Sequence, residues 1–308
     1  MNLPRLTRKL LGELRDGSIF ARVPKLGRAA MEYVHAQWKG PRCVLPDFLI
    51  VGAMKAGTTF LYWVLKQHPQ IVVCAPKEVN YFNHKYHRSL NSYRTHFPTL
   101  AETRSRSAQT GLPTIAGEAS LYLYHPHAAR RIARHLPHAK IIILLRDPVK
   151  RTISDYHHMK RLGRETLSFE EAIAAEAGRL HGEREKILAD ESYTSIPYLT
   201  YGYAARSIYV DQIAEFHRHF PKEQVLIVPS EEMYADPVRI GFTVHRFLGV
   251  EPRPPEAIRP INTGNYKAPQ GPVIDYLHSF FEPHNARLYE YLGVDFGWDR
   301  PRRRSNAA

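Results

Sequence analysis

With 308 residues, 44% of them hydrophobic, the chain can bury a full core as one large α/β domain or two smaller ones, and one domain with appendages is the favoured reading. Two cysteines, Cys43 and Cys74, exclude a disulfide framework, and 17 histidines with no HExxH or Cys/His cluster support no zinc site. A formal charge of +13 implies anionic partners, whether nucleotide, polyanion or lipid surface, without choosing among them.

Residues 1–45 read as a basic, helical N-terminal appendage. Leu3, Leu6, Leu10, Leu11 and Leu14 recur at helical spacing with cationic residues between them. Such a stripe packs on the domain or on a second subunit, and its other reading is an interfacial helix on anionic lipid. No apolar run approaches the ~20 residues of a membrane span. The cysteine usage suits a reducing compartment, so the expected location is cytoplasmic, with peripheral membrane contact through the appendage as the alternative.

Phe48–Val51 is a short apolar run too brief for a helical period and reads as a buried strand ending at Gly52. Gly52–Gly57 then supplies small residues, free amides and one ammonium, and Thr58-Thr59 opens an apolar-periodic helix. This is an anion cradle in outline, because the first amides of a helix lack internal partners and carry the positive end of its dipole. The glycine spacing is that of a Walker A loop, but Lys55 sits inside the loop and Thr58 occupies the position where GxxxxGK[ST] requires lysine. The loop is therefore read as a phosphate-type site that is not an ordinary ATPase site.

Ile71–Val73 suggests a second short strand after His68-Pro69, followed by Lys77-Glu78 and an aromatic run. Residues 83–113 show little periodicity and read as a loop-like, substrate-facing excursion. The stretch GEAS at 117–120 precedes Leu121–Tyr124, and Pro126 opens a helix through Ile132. Lys140–Leu145 is a strand buried on both faces, and it delivers Arg146, Asp147 and Pro148 to its carboxyl end. Asp147 is read as the N-cap of the next helix, which carries Arg151 and Ser154 toward the same crevice.

Ser168 and Glu171 form a capping box. Residues 181–200 read as a surface excursion, and the apolar residues between Tyr203 and Phe220, Tyr209 among them, form a helical stripe. Val225–Val228 is a third buried strand, and Asp236-Pro237 caps a helix reaching Leu248. Helical patterns in the tail break at Pro283, and the basic stretch 299–308 reads as a disordered tail. Strands alternating with helices imply a three-layer α/β sandwich on a central parallel sheet, with residues 46–298 as its domain.

Three separated motifs, GAMKAGTTFL at 52–61, KEVNYF at 77–82 and LLRDPVKRTISDYHH at 144–158, resemble the sulfotransferase family that uses 3'-phosphoadenosine 5'-phosphosulfate (PAPS), in its heparan-sulfate-type and bacterial branch. GEASLYL at 117–123 and LGVDFGW at 292–298 add to the likeness. The resemblance implies that Lys55, Ala56, Gly57, Thr58 and Thr59 bind the 5'-phosphosulfate, that Arg146 and Ser154 hold the 3'-phosphate, and that Glu78 is the catalytic base with Lys55 stabilising the leaving phosphate. It also puts Tyr266 or Lys267, in the late loop NTGNYK, at the 3'-phosphate. The expected co-substrate is PAPS with no metal, and the expected acceptor is a hydroxyl or amine of a glycan, glycolipid or small metabolite. No nucleic-acid partner is expected, and homo-oligomerisation stays open. Against these stand a solvated Lys77–Glu78 ion pair as the structural reading of Glu78, and a P-loop kinase or a non-catalytic polyanion-binding protein as other functions.

Overall fold

A computed structural model describes residues 25–258 and 269–299. Five strands, β1 (Phe48–Gly52), β2 (Ile71–Val73), β3 (Ile115–Ala119), β4 (Lys140–Leu145) and β5 (Val225–Pro229), form one parallel sheet in the order β2-β3-β1-β4-β5. Helix α1 (Lys25–Lys39) precedes the sheet, α2 (Thr58–Lys66) joins β1 to β2, and α3 (Leu90–Arg94) and α4 (Leu100–Thr110) lie before β3. Helix α5 (Ala128–His135) joins β3 to β4. The β4–β5 connection holds α6 (Pro148–Arg161), α7 (Phe169–Leu180), α8 (Glu183–Ala189), α9 (Ile196–Thr200) and α10 (Tyr209–His219). After β5 come α11 (Ser230–Ala235), α12 (Pro237–Leu248) and α13 (Pro272–Leu292).

The strand order explains the layers. From β1 the chain moves toward one edge to reach β2, whereas from β3 to β4 and from β4 to β5 it moves toward the other. Right-handed crossovers then put α2 on one face and α5 and α10 on the opposite face. Helix α12 packs on α2, and α13 packs on α10, which completes three layers. Phe48–Val51 and Ile141–Leu145 are fully buried, as expected of strands covered on both faces. Strand β5 differs from expectation. It has a neighbour on one side only, so Val228 is its buried residue and the rest are half-covered.

Strand β3 carries little strand signal of its own, since after Ile115 its residues are small or charged. The reason lies across the sheet: Gly117 pairs with Phe48, and a Cβ at Gly117 would sit 2.2 Å from the Phe48 ring. The neighbour's bulk fills the space that a β3 side chain would otherwise occupy. Glu118, fully buried on this strand, accepts hydrogen bonds from Tyr93 Oη (2.9 Å) and Ser120 Oγ (3.2 Å).

Residues 83–113 are not the loop-like excursion expected. They contain α3 and α4, and α4 buries no residue at all, so no hydrophobic period was available to reveal it. Its start is set instead by a capping box between Thr99 and Glu102. Residues 181–200 likewise fold into α8 and α9, tied by Glu183, which accepts from Tyr193 Oη at 2.9 Å and from Ser195 Oγ. The helix expected from Pro126 to Ile132 spans Ala128–His135, and α13 runs on through Pro283 without a break. The capping box at Ser168/Glu171 and the Asp236-Pro237 helix start are as expected. Part of the N-terminal appendage packs on the domain: α1 meets α3 through Gln37, which bonds Asn91 Nδ2 at 2.8 Å. The leucine stripe at 3–14, the late loop with Tyr266 and Lys267, and residues 300–308 lie outside the described residues.

Arg151 was expected at the crevice but is fully buried. Its guanidinium bonds Asp155 Oδ2 at 3.0 Å, Ser207 Oγ and the Tyr203 carbonyl, and Arg206 shares Asp155 Oδ2 at 3.2 Å. One carboxylate thus pairs with two guanidinium groups between α6 and the segment before α10. Asp155→Ala would remove the carboxylate that is ion-paired with both buried cations, and a loss of about 3–5 kcal/mol in denaturant unfolding is expected.

Burial raises the Glu118 carboxyl from 4.5 to about 7 against the hydrogen bonds of Tyr122, Tyr93 and Ser120. The folded state therefore holds this proton between about pH 4.5 and 7 while the unfolded chain releases it. The stability so contributed is complete below pH 4.5 and is lost as the pH rises through about 7. In Glu118→Gln this part of the pH slope should vanish, as read from unfolding midpoints across that window.

Candidate functional site

The carboxyl ends of β1, β3 and β4 open onto one edge of the sheet, where ligands of open parallel sheets bind. The loop after β1 is pinned to β4 by the Ala53 amide, which donates to the Leu144 carbonyl at 2.7 Å. Lys55 takes a left-handed backbone (φ 68°), as does Gly57 (φ 94°), the residue before α2. At Gly57 a Cβ would lie 2.5 Å from Met233 Cε and 2.9 Å from Tyr234 Oη, so α11 closes the loop from outside. Ala56 is fully buried beneath it, and its carbonyl accepts from Ser230 Oγ.

Arg146 leaves the end of β4 and donates Nη1 to the Lys55 carbonyl at 3.1 Å, which joins the two strand ends. Asp147 caps α6 by accepting from the Val149 and Lys150 amides at 2.9 and 3.1 Å. Ser154 follows on α6, and His158 and Arg161 lie four and seven residues further on the same face.

Glu78 arrives by another route. Beyond β2 the chain continues alongside β3, with the Cys74 amide on the Gly117 carbonyl (2.9 Å) and the Glu78 amide on the Ala119 carbonyl (2.9 Å). Glu78 and Asn80 are both left-handed, at φ 65° and 56°. The turn is held by the Asn80 amide on Ser120 Oγ (3.2 Å) and the Tyr81 amide on Tyr122 Oη (3.0 Å). The buried Glu118 network thus lies directly beneath the segment that presents Glu78. The ion pair that formed the structural reading of Glu78 is present, with Lys77 Nζ 3.0 Å from Glu78 Oε1 on a partly exposed surface.

These elements enclose a cavity of about 270 Å³ lined by Lys55, Gly57, Thr58, Thr59, Glu78, Arg146 and Ser154. The described residues that the family likeness singled out line it, except Ala56, which backs the loop; Arg151, also expected here, does not. Met54, Phe60, Lys77, Leu121, His158, Arg161 and Tyr234 complete the wall among the described residues. His158 and Arg161 were legible through their helical spacing from Ser154, whereas Tyr234 comes from beyond β5 and has no local signal.

Burial, and next the nearby Arg161, lower the Lys55 ammonium below the ordinary lysine value, with Asp155 opposing. Burial and then Lys55 lower His158. Several cations with little carboxylate compensation make this an anion site, suited to two separated anionic groups: one at the loop, one near Arg146 and Ser154. Among the described residues, no three His, Cys, Asp or Glu side chains are grouped to hold a metal ion.

A second cavity of about 460 Å³ lies beyond Glu78 and shares Met54, Glu78, Leu121 and His158 with the first. The carboxylate therefore stands in the wall between an anion site and a larger, mixed space.

Comparisons with known proteins agree with this geometry. Residues 45–268 match a family model described as a sulfotransferase domain. The chain is 27% identical, over 84% of its length and 68% of the relative's, to the membrane-associated sulfotransferase kil1 of Dictyostelium discoideum. It is 28% identical to heparan sulfate glucosamine 3-O-sulfotransferase 3A1 of Mus musculus, over 83% of this chain and 65% of that protein. The chain thus spans about two thirds of the length of these relatives. Among solved structures, a sulfotransferase from Alicyclobacillus acidocaldarius is 32% identical with a TM-score of 0.61, covering 83% of this chain and all of the other. No helix among the described residues is long and apolar enough to cross a membrane. Since the matched span runs unbroken from β1 through the Lys55 loop and the Glu78 turn to α6 and beyond, the chain belongs to the sulfotransferase family.

Proposed function

We propose that this chain transfers a sulfuryl group from PAPS to a hydroxyl or amine of a carbohydrate-containing acceptor, with residues 46–298 as the transferase domain. The observation that carries the reading is the position of Glu78 in the wall shared by the cationic cavity and the larger one. A base at that boundary can reach a nucleophile on one side while the departing anion is held on the other.

PAPS supplies a sulfuryl group on a good phosphate leaving group. Lys55 and the loop amides, with Thr58 and Thr59, hold the 5'-phosphosulfate, and Arg146 and Ser154 hold the 3'-phosphate. Tyr266 and Lys267 belong to the same proposal as further 3'-phosphate contacts. As the acceptor oxygen or nitrogen forms its bond to sulfur, Glu78 accepts the proton and the sulfur–phosphate oxygen bond breaks. The released charge rests on the phosphate, opposite Lys55 and the dipole of α2. Burial and cationic neighbours lower the Lys55 ammonium, and an arriving anion favours its charged form, so donor binding should move it back toward the ordinary lysine value.

Glu78→Gln should retain affinity for the desulfated nucleotide, 3'-phosphoadenosine 5'-phosphate (PAP), in calorimetry, while turnover of PAPS with acceptor falls by roughly 10²–10⁴-fold. Normal turnover in that variant would remove Glu78 from the chemistry. Arg146→Ala should weaken PAP by about 10- to 100-fold, the worth of a charged hydrogen bond, yet change adenosine 5'-phosphate little. Equal losses for both nucleotides would defeat the 3'-phosphate assignment.

A further inference from the structure

The second cavity differs in charge from the first. Met54, Leu121, Leu123, Met159, Leu162 and Leu199 give it apolar walls. Tyr124 and Tyr198 stack at 4.1 Å with their planes 12° apart and add a flat aromatic face.

Two arginines line this space, and one is already committed. Arg206 is 7% exposed, pairs with Asp155 at 3.2 Å, donates to the Tyr198 carbonyl at 2.8 Å and lies over the Tyr124 ring. Arg164 is exposed at the rim. The remaining polar lining is neutral amide, from Asn80, Asn83 and Gln212, together with His84, His125 and His158. Burial lowers all three imidazoles, His125 to about 3, and nearby cations lower them further. At neutral pH they offer hydrogen bonds without charge.

Among the described lining residues, an anionic acceptor would therefore meet Glu78 and one exposed, unengaged cation, Arg164.

Resting on the transferase reading above, we propose that the acceptor is an uncharged, amphipathic hydroxyl compound of small-molecule size, an alkyl or aryl glycoside in chemical class, rather than a polyanionic glycan. Its apolar part lies against the leucines and the tyrosine pair, and its hydroxyls bond the neutral amides and imidazoles while one faces Glu78. A volume of about 460 Å³ suits such a molecule.

The test begins with PAP binding to the full chain, then compares sulfate transfer from PAPS to octyl β-glucoside and to a sulfated, carboxylated oligosaccharide. Transfer to the glucoside should exceed that to the oligosaccharide by about tenfold or more in kcat/KM and vary little with salt, since no ion pairing drives it. A neutral monoglucosyl lipid in phosphatidylcholine vesicles separates a membrane source from a free one, and transfer in either form supports the proposal. Leu199→Glu should raise KM for the glucoside about tenfold with PAP affinity kept, the worth of a lost apolar contact plus a buried charge. Preference for the oligosaccharide with a steep loss in salt, no transfer to the glucoside despite bound PAP, or an unchanged KM in Leu199→Glu would each overturn the acceptor class alone. Failure to bind PAP would overturn the donor reading and the acceptor class with it.

Discussion

The site depends on the place of β1 in the sheet. Because β1 lies between β3 and β4, the segments that leave β1 and β4 and the segment after β2 that runs beside β3 emerge side by side. The Lys55 loop is anchored to β4 through Ala53, Arg146 reaches back to the Lys55 carbonyl, and Glu78 is anchored to β3 through Ala119. A cationic loop, an arginine and a carboxylate separated by up to 91 residues in the chain are thereby set around one cavity. Parallel strands need long crossovers, and here those crossovers also supply the cavity walls.

Charge is sorted in the same structure. Near the loop the cations are left with little carboxylate compensation, whereas Arg151 and Arg206, one turn of helix and a segment away, share Asp155 in the interior. Desolvation explains the difference. A cation that faces a cavity can await an anion, but one enclosed by protein requires its counter-charge within the fold. Glu118 follows the same rule for acids: it has hydroxyl donors but no cation in contact, and burial holds its proton to about pH 7. Tyr122 and Ser120, two of the donors to Glu118, also hold the backbone that turns Glu78 toward the cavity.

Elements whose stabilising partners are near in sequence were legible. Phe48–Val51 and Lys140–Leu145 announce themselves by continuous apolar character, and Ser168/Glu171 and Asp236-Pro237 mark helix starts through contacts within one turn. Elements stabilised from a distance were not. Strand β3 has glycine and glutamate where a strand usually has apolar residues, because Phe48 fills one space and Tyr93 with Ser120 satisfies the other. Helix α4 has no buried face, and the Thr99/Glu102 box that begins it was the one local sign.

By itself the sequence determined the loop that cradles an anion, the cap at Asp147, the strand that ends at Arg146 and the family likeness that joins Lys55, Glu78, Arg146 and Ser154. Each depends on residues within a few positions of one another, where backbone geometry is set by local sterics and hydrogen bonds. Only the tertiary structure decided that Arg151 is interior, that Tyr234 closes the loop, and that Glu78 divides a cationic space from a larger, mixed one. Those facts depend on which faces the crossovers bring together and on how much water each charge retains, and neither is encoded in the spacing of residues along the chain.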